Sequence, residues 1–343
     1  MHPLATGVAP RRARRSVAAV QSPTELAAAI VAGDRAALAR GITLVESRRD
    51  ADVAAGEDLL QRLLPHAGRS LRVGVTGAPG VGKSTLIEAL GTRLCDRGRK
   101  VAVLAVDPSS AVTGGSILGD KTRMSELSRR SEAFIRPSPG GDTLGGVASR
   151  TREAMLLCEA AGFDVVLVET IGTGQSEVAV HGMVDFFLVL LSPAAGDELQ
   201  GIKRGVMELA DGVLVHKADG DLAPAADRAA QQCLLAMRVL HSGDPNPPPV
   251  VVGSSTTGRG LDELWQAIEA HTAAARSSGA LAARRSKQAA AWLDQTVKDR
   301  LLADFLHDPQ VARALQQAEA DVAAGRALPG AAARAVLALR RRG

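Results

Sequence analysis

The chain has 343 residues, 46% of them hydrophobic and 23% charged, enough for one large α/β domain with helical additions or for two modest domains. Its formal charge of +4 comes from the ends: without Arg11, Arg12, Arg14, Arg15, Arg340, Arg341 and Arg342, 34 basic residues face 37 acidic ones. That balance, with no tyrosine and only five phenylalanines and two tryptophans for base stacking, argues against a nucleic-acid groove, and apolar runs such as Phe186–Leu191 are far too short for a bilayer span.

Residues 1–21 carry four arginines, and no acid precedes Glu25. In a chain that uses arginine over lysine by 34 to 7, this reads as a disordered basic arm, with a mitochondrial presequence as the alternative. Ser22-Pro23-Thr24-Glu25 is a capping box with proline at the first helical position, opening a helix that carries Leu26 and Ile30. Gly33 ends it, and Asp34 to Arg49 starts a second, with Leu38, Ile42 and Val45 at helical spacing. These helices form an N-terminal extension over residues 22–68.

From 69 to about 275 short apolar runs alternate with helical stretches. The strands predicted are Leu71–Thr76, Val101–Val106, Ala133–Ile135, Val165–Val168, Phe186–Leu191, Val213–Val215 and Val250–Val252. Apolar runs with helices between them imply a doubly wound, mostly parallel α/β sheet whose ligand sites lie at the strand C-terminal ends. Residues 276–343 read as helices only. Trp292, Leu293, Val297, Leu301 and Phe305 share one face, followed by Val311, Leu315 and Val322, with a break near Pro329. Such an arm cannot bury its apolar face alone, so it packs on the core or on a second subunit, and a homodimer is expected. Cys95, Cys158 and Cys233 are scattered through predicted helices and read as buried small hydrophobes in a reducing cytosol.

The chemistry sits at the strand ends. After the first strand comes Gly77-Ala78-Pro79-Gly80-Val81-Gly82-Lys83-Ser84, then Thr85 and a helix to Cys95. This is phosphate-loop spacing. Gly77, Gly80 and Gly82 let successive backbone N–H groups turn inward onto phosphate oxygens. Lys83 supplies charge for the β- and γ-phosphates, and Ser84 offers a hydroxyl to Mg²⁺ at a helix start whose dipole favours anions. The second strand ends at Asp107, and a glycine-rich stretch leads to Asp120 and Lys121. The fourth ends at Glu169, the metal-side carboxylate of such sites, and Gly172 stands where a switch gives its N–H to the γ-phosphate.

The sixth strand ends in His216-Lys217-Ala218-Asp219, where GTP-binding proteins hold Asn-Lys-x-Asp. An aspartate at this place takes two hydrogen bonds from guanine N1–H and the 2-amino group, donors adenine lacks. Lys217 lays its stem across the base, and Ser254, after the last strand, supports guanine O6 through its loop backbone. His216 stands in place of asparagine, and its imidazole can donate to N7 or brace the loop. Four of the seven lysines, Lys83, Lys121, Lys203 and Lys217, lie in strand-end segments, where a compact ammonium is of use.

With these residues the chain resembles the methylmalonyl-CoA mutase-associated GTPases of the MeaB type, once described as arginine-transport kinases, in the SIMIBI class of P-loop GTPases. The likeness runs from about Ser22 to the C-terminal helices. It rests on Gly77–Thr85, Val106–Ser110, Gly114–Met124, Phe134–Ser138, Gly141–Ala148, Glu169–Glu177 and Gly196–Lys203. The resemblance implies a homodimeric GTPase that binds GTP, GDP and Mg²⁺ and docks on an adenosylcobalamin-dependent acyl-CoA mutase. There it would gate cofactor loading and protect the mutase. It assigns Ser84, Asp107, Asp120 and Glu169 to the Mg²⁺ and water-orienting set, and Gly172–Glu177 and Ser192–Lys203 to switches.

Thr173, not glutamine, follows Gly172, so intrinsic hydrolysis should be slow and raised by a partner. Adenosylcobalamin itself is not expected on this chain, which has no Asp-x-His-x-x-Gly segment. The cytoplasm of a bacterium is the expected location, the mitochondrial matrix the alternative. Competing readings are a metallochaperone GTPase, which should carry clustered cysteines or histidines, a P-loop small-molecule kinase, and a scaffold that binds nucleotide without useful hydrolysis.

Overall fold

Each of the seven apolar runs forms a strand in the computed structural model, which describes residues 22–47, 49–106, 124–137, 144–170, 176–193, 204–243 and 247–339. The strands are β1 Leu71–Gly77, β2 Val101–Val106, β3 Ala133–Arg136, β4 Val165–Thr170, β5 Phe186–Leu191, β6 Gly212–Val215 and β7 Val250–Val252. They pair in the order β3-β2-β4-β1-β5-β6-β7. Every pairing is parallel. β1 therefore occupies the middle, and the loop after it emerges between the ends of β4 and β5.

The helices are α1 Pro23–Val31, α2 Arg35–Val45, α3 Asp50–Leu63, α4 Lys83–Asp96, α5 Leu144–Ala160, α6 Ser176–His181, α7 Arg204–Glu208 and α8 Ala223–Leu240, then α9 Leu261–Ser277, α10 Ala280–His307, α11 Pro309–Ala323 and α12 Pro329–Ala338. The capping box forms as the sequence implies: Glu25 N–H donates to Ser22 Oγ, and Ser22 N–H to Glu25 Oε2. Asp34 caps α2 through the N–H groups of Ala36 and Ala37. The second helix stops at Val45 rather than Arg49. Its last turn tightens, with Ser47 N–H donating to Leu44 O, and the Ser47 hydroxyl turns onto Asp52. α3, a helix in its own right, follows.

Two buried layers cover the sheet. Alternate residues of β1 face opposite sides, so Val73 and Val75 pack with Leu86, Ile87, Leu90, Trp265 and Ile268 of α4 and α9. The other layer joins α1, α2, α3, α5, α6 and α8. Gly74 faces that second layer, where an added Cβ would lie 2.8 Å from Val180 and 3.0 Å from Phe187, so glycine lets α6 lie against the middle of the sheet. A fully buried Leu or Ile side chain contributes about 1.5–3 kcal/mol, and Leu86, Ile87, Ile30, Leu38 and Ile42 are all wholly buried.

The first turns of α10 are fastened to the sheet. Arg285 donates to both Asp185 oxygens at 2.7 and 2.6 Å, and Arg284 pairs with Asp211 at 2.8 Å. Beyond Trp292 the helix still meets α3, where Arg300 pairs with Glu57, but Leu293, Val297, Leu301 and Leu302 are exposed, Leu293 by 66%. No helix among the described residues is long and apolar enough to cross a membrane.

Candidate nucleotide site

β1, the loop after it and α4 form the strand–loop–helix unit expected of Gly77–Ser84. Gly77, Gly80 and Gly82 all have positive φ, +148°, +79° and +104°, a backbone region open to glycine and costly for other residues. Space reinforces the requirement at two of them. A Cβ on Gly77 would lie 2.6 Å from Leu190 O, and one on Gly82 would lie 2.6 Å from the His216 ring. Lys83 is buried, and its Nζ donates to the carbonyls of Gly77 and Ala78 at 2.7 and 3.1 Å. Burial lowers its pKa, and the carboxylates of Glu169 and Glu177 oppose that shift.

Glu169 reaches this loop because β4 pairs beside β1, with Glu169 opposite Val75. It is buried, and the Ser84 hydroxyl donates to its Oε1 at 2.7 Å. One residue on, Thr170 Oγ1 donates to Thr76 Oγ1 at 2.8 Å, tying the two strand ends together. A hydroxyl and a carboxylate side by side are hard oxygen donors of the kind Mg²⁺ takes, next to an ammonium placed for phosphate. These residues fit a Mg²⁺–nucleotide. Thr85 follows Ser84 in the first turn of α4. Asp107, Asp120 and Gly172, along with Lys121, Lys203 and residues 1–21, lie outside the described residues, as does most of each proposed switch.

The segment expected to read the base, His216–Asp219, follows the end of β6. Ser254 is fully buried and donates to Asp219 Oδ1 at 2.6 Å. This fixes the carboxylate and leaves Oδ2 and a lone pair of Oδ1 for a ligand. Lys217 adopts φ +58°, the one non-glycine residue with positive φ among the described residues, and its Nζ donates to Gly80 O at 2.8 Å. A strained backbone of this kind costs of order 1–3 kcal/mol and collects at functional sites. Here it carries the lysine stem back over the phosphate loop.

His216 turns the same way. Its Nδ1 lies 2.9 Å from Val81 O, and its Nε2 2.7 Å from Ser255 Oγ. A carbonyl can only accept, so Nδ1 carries the proton and, in the neutral ring, Nε2 accepts from the Ser255 hydroxyl. Burial lowers the His216 pKa, the Val81 bond opposes it, and the ring stays neutral near pH 7. Of the two roles open to this histidine, bracing is the one the geometry supports.

The structure thus brings together Gly77, Gly80, Gly82, Lys83, Ser84, Thr85, Glu169, His216, Lys217, Asp219 and Ser254 at one end of the sheet. Sequence reasoning missed Ser255, Thr76 and Arg259. Arg259 holds the base loop, donating to Ala218 O at 3.3 Å and Asp227 Oδ1 at 3.0 Å. The neighbouring serines Ser254-Ser255 gave a signal for a second hydroxyl, whereas a loop arginine gives none.

Comparison with known proteins shows the family. A putative GTPase of Caulobacter vibrioides is 55% identical over 310 residues, spanning 90% of this chain and 95% of that one. The GTPase ArgK of Escherichia coli K12 is 49% identical over 271 residues, covering 79% and 82%. A mitochondrial methylmalonic aciduria type A homolog of Mus musculus is 45% identical, covering 89% and 76%. Among solved structures, one described as LAO/AO transport system kinase superposes with a TM-score of 0.72 at 37% identity, covering 93% of this chain and 98% of that one. The family model for methylmalonyl Co-A mutase-associated GTPase MeaB matches residues 38–310. With its phosphate loop, its fixed Asp219 and its all-parallel sheet, the chain is a P-loop GTPase and belongs to the MeaB family.

Proposed function

We propose that this GTPase serves an adenosylcobalamin-dependent acyl-CoA mutase of the methylmalonyl-CoA mutase type, coupling GTP binding and hydrolysis to cofactor loading and to protection of the mutase. The observation that carries the nucleotide half is the pairing of Ser254 with Asp219 above a phosphate loop braced by His216 and Lys217. The family match supports the client half.

In this reading the N–H groups of Gly80–Ser84 bind phosphate oxygens, and Lys83 exchanges its loop carbonyls for the β- and γ-phosphates. Asp219 takes guanine N1–H and the 2-amino group, and the Lys217 stem covers the base. Ser84 and Glu169, with Asp107 and Asp120, hold Mg²⁺ directly or through water. When bound, Mg²⁺ supplies neutralisation of charge on the β- and γ-phosphate oxygens. Glu169, in the same set, helps to orient the attacking water. Gly172 contacts the γ-phosphate, and with Thr173 after it no glutamine positions water, so turnover by the isolated protein is slow.

The exposed stripe Leu293, Val297, Leu301 and Leu302 supports a homodimer through residues 276–343, with 69–275 as the nucleotide domain and 22–68 as its helical extension. A client of this kind places the protein in the bacterial cytoplasm, or in a mitochondrial matrix.

The test is GTP hydrolysis by the purified protein with and without a stoichiometric mutase from the same organism. A slow rate that rises with the mutase, and that ATP does not support, bears the reading out. A rate indifferent to the mutase removes the client and leaves the GTPase.

A further inference from the structure

At the opposite end of the sheet from the phosphate loop lies a cavity of about 560 Å³, within the range of small-molecule sites. It opens where β1 and β4 begin, between the turn before β1, the turn from α5 into β4, and one face of α9. The seven residues of β1 separate it from Gly77 by about 20 Å at a strand's rise per residue. It is therefore distinct from the nucleotide site.

Its wall has an apolar part and a charged part. Trp265 and Phe163, both largely buried, supply the apolar part together with Leu71 and Val165. Three acids line it, and each is engaged. Glu159 accepts two N–H bonds from Arg72 at 2.7 and 2.9 Å and a third from Gly68 N–H at 2.8 Å. Asp164 accepts from Lys100 N–H at 2.8 Å, and Glu269 lies 3.5 Å from Arg99. Arg69 and Arg276 also line the cavity, and among the described residues neither has a carboxylate within ion-pair distance. With Arg72 counted beside Glu159, four arginines, Arg69, Arg72, Arg99 and Arg276, face three acids, an excess of one positive charge.

The arginine before β1 is held at its backbone. Gly68 O and Ser70 O accept from Arg285 of α10 at 2.5 and 2.7 Å, and Ser70 Oγ donates to Phe163 O at 2.5 Å. With both neighbours pinned, the Arg69 backbone is pre-set, and a ligand has only side-chain freedom to order. The guanidinium is a fork that matches carboxylate or phosphate oxygens.

We propose that this cavity binds a small amphipathic anion, its carboxylate or phosphate head between Arg69 and Arg276 and its apolar body against Trp265 and Phe163. The bound anion rests on the same Gly68–Ser70 segment that Arg285 of α10 grips, so occupancy is felt at the root of the C-terminal arm.

The test uses the full chain saturated with GDP, so that the phosphate loop is filled. Octanoate, octyl phosphate and octanol are titrated by calorimetry. In parallel, the fluorescence of Trp265 is followed in the Trp292→Phe variant, where it is the remaining tryptophan. The expected result is saturable binding of octanoate or octyl phosphate, with octanol much weaker; the two acids tell a carboxylate site from a phosphate site. An Arg69→Ala/Arg276→Ala variant that still binds GDP normally should lose about tenfold or more in affinity for the anion. No saturable signal from either acid below about 10 mM, equal binding of octanol, or undiminished binding by the double variant overturns the proposal.

Discussion

The Nδ1–H of His216 donates to the carbonyl of Val81 at 2.9 Å, and the same ring fills the space that a side chain on Gly82 would need. One neutral imidazole thus joins the phosphate loop, the base-reading loop and, through Ser255, the loop after β7. His216→Ala leaves a buried carbonyl without its donor and should weaken GDP binding about tenfold, roughly 1–2 kcal/mol, by calorimetry. The pH dependence has a definite sign. The folded pKa is lowered by burial, so below about pH 6.5 the unfolded chain binds a proton that the folded one refuses. Stability from the neutral ring is complete above that pH and is lost as pH falls toward the folded pKa. Melting temperature between pH 5 and 8 should show this fall, and the alanine variant should lack it.

Asp219 is held by Ser254 at 2.6 Å with its second oxygen available. Asp219→Asn replaces one acceptor by a donor, which opposes the guanine 2-amino group but matches the O2 carbonyl of xanthine. GTP affinity should drop by about a hundredfold or more, and XTP should become the better ligand. Ser254→Ala should cost less, about five- to thirtyfold for GDP, because the carboxylate stays but loses its orientation. Competition binding with the three nucleotides separates these outcomes; unchanged GTP preference in Asp219→Asn would remove this residue from base reading.

The Ser84 hydroxyl and the Glu169 carboxylate are 2.7 Å apart at the mouth of the phosphate loop. If they share a Mg²⁺ shell, Ser84→Ala and Glu169→Gln should each lower kcat for GTP by about a hundredfold. GDP binding measured in chelator should change by only a few fold, since the glycine N–H groups and Asp219 remain. Equal losses with and without Mg²⁺ would show that the pair is merely structural.

All seven strands were legible because a strand buried on both faces must be an apolar run, and β5, Phe-Phe-Leu-Val-Leu-Leu, has no other reading. The phosphate loop was legible because its chemistry demands glycine at fixed spacing. The second helix was read too long. Its end depends on Ser47 bonding Asp52, a side-chain choice that periodicity does not encode. Ser255 and Arg259 were invisible for a related reason: their partners, His216 and Ala218, lie 39 and 41 residues away. The spacing groups Trp292, Leu293, Val297 and Leu301 together, but only the fold shows that Trp292 meets α5 while the other three stay exposed.

Glu153 of α5 lies where α3, α5 and α10 meet, and burial pushes its pKa up to about 7 against the pull of Arg150, Ser149 and Arg300; Glu57 adds to the rise. The folded pKa is above the unfolded one, so between about pH 4.5 and 7 the folded chain binds the extra proton and stability falls as pH rises. Above pH 7 the cost of the buried anion is fully present. Glu153→Gln should raise the melting temperature at pH 8 by a few degrees and leave it nearly unchanged at pH 5. A variant no more stable at pH 8 than the parent would mean that the charge is solvated or paired.

The C-terminal end of α6, the helix that follows the proposed nucleotide switch, is gripped from two sides. Arg152 donates to Gly182 O at 2.9 Å, and Gln288 of α10 donates to His181 O and Val184 O at 3.2 and 2.9 Å. Arg152 in turn stacks 5.8 Å from the Trp292 ring, whose Nε1 donates to Ser149. A displacement of α6 on exchange of GDP for GTP would be carried into α10 by these contacts, since packed elements shift together rather than deform. Amide exchange over residues 285–300 should therefore differ between the GDP and GTP-analogue forms. In Gln288→Ala/Trp292→Ala that difference should shrink, with GDP affinity unchanged because neither residue touches the nucleotide site. Identical exchange in the two nucleotide states would mean that the arm is a fixed strut and that any signal to a partner leaves through the switches alone.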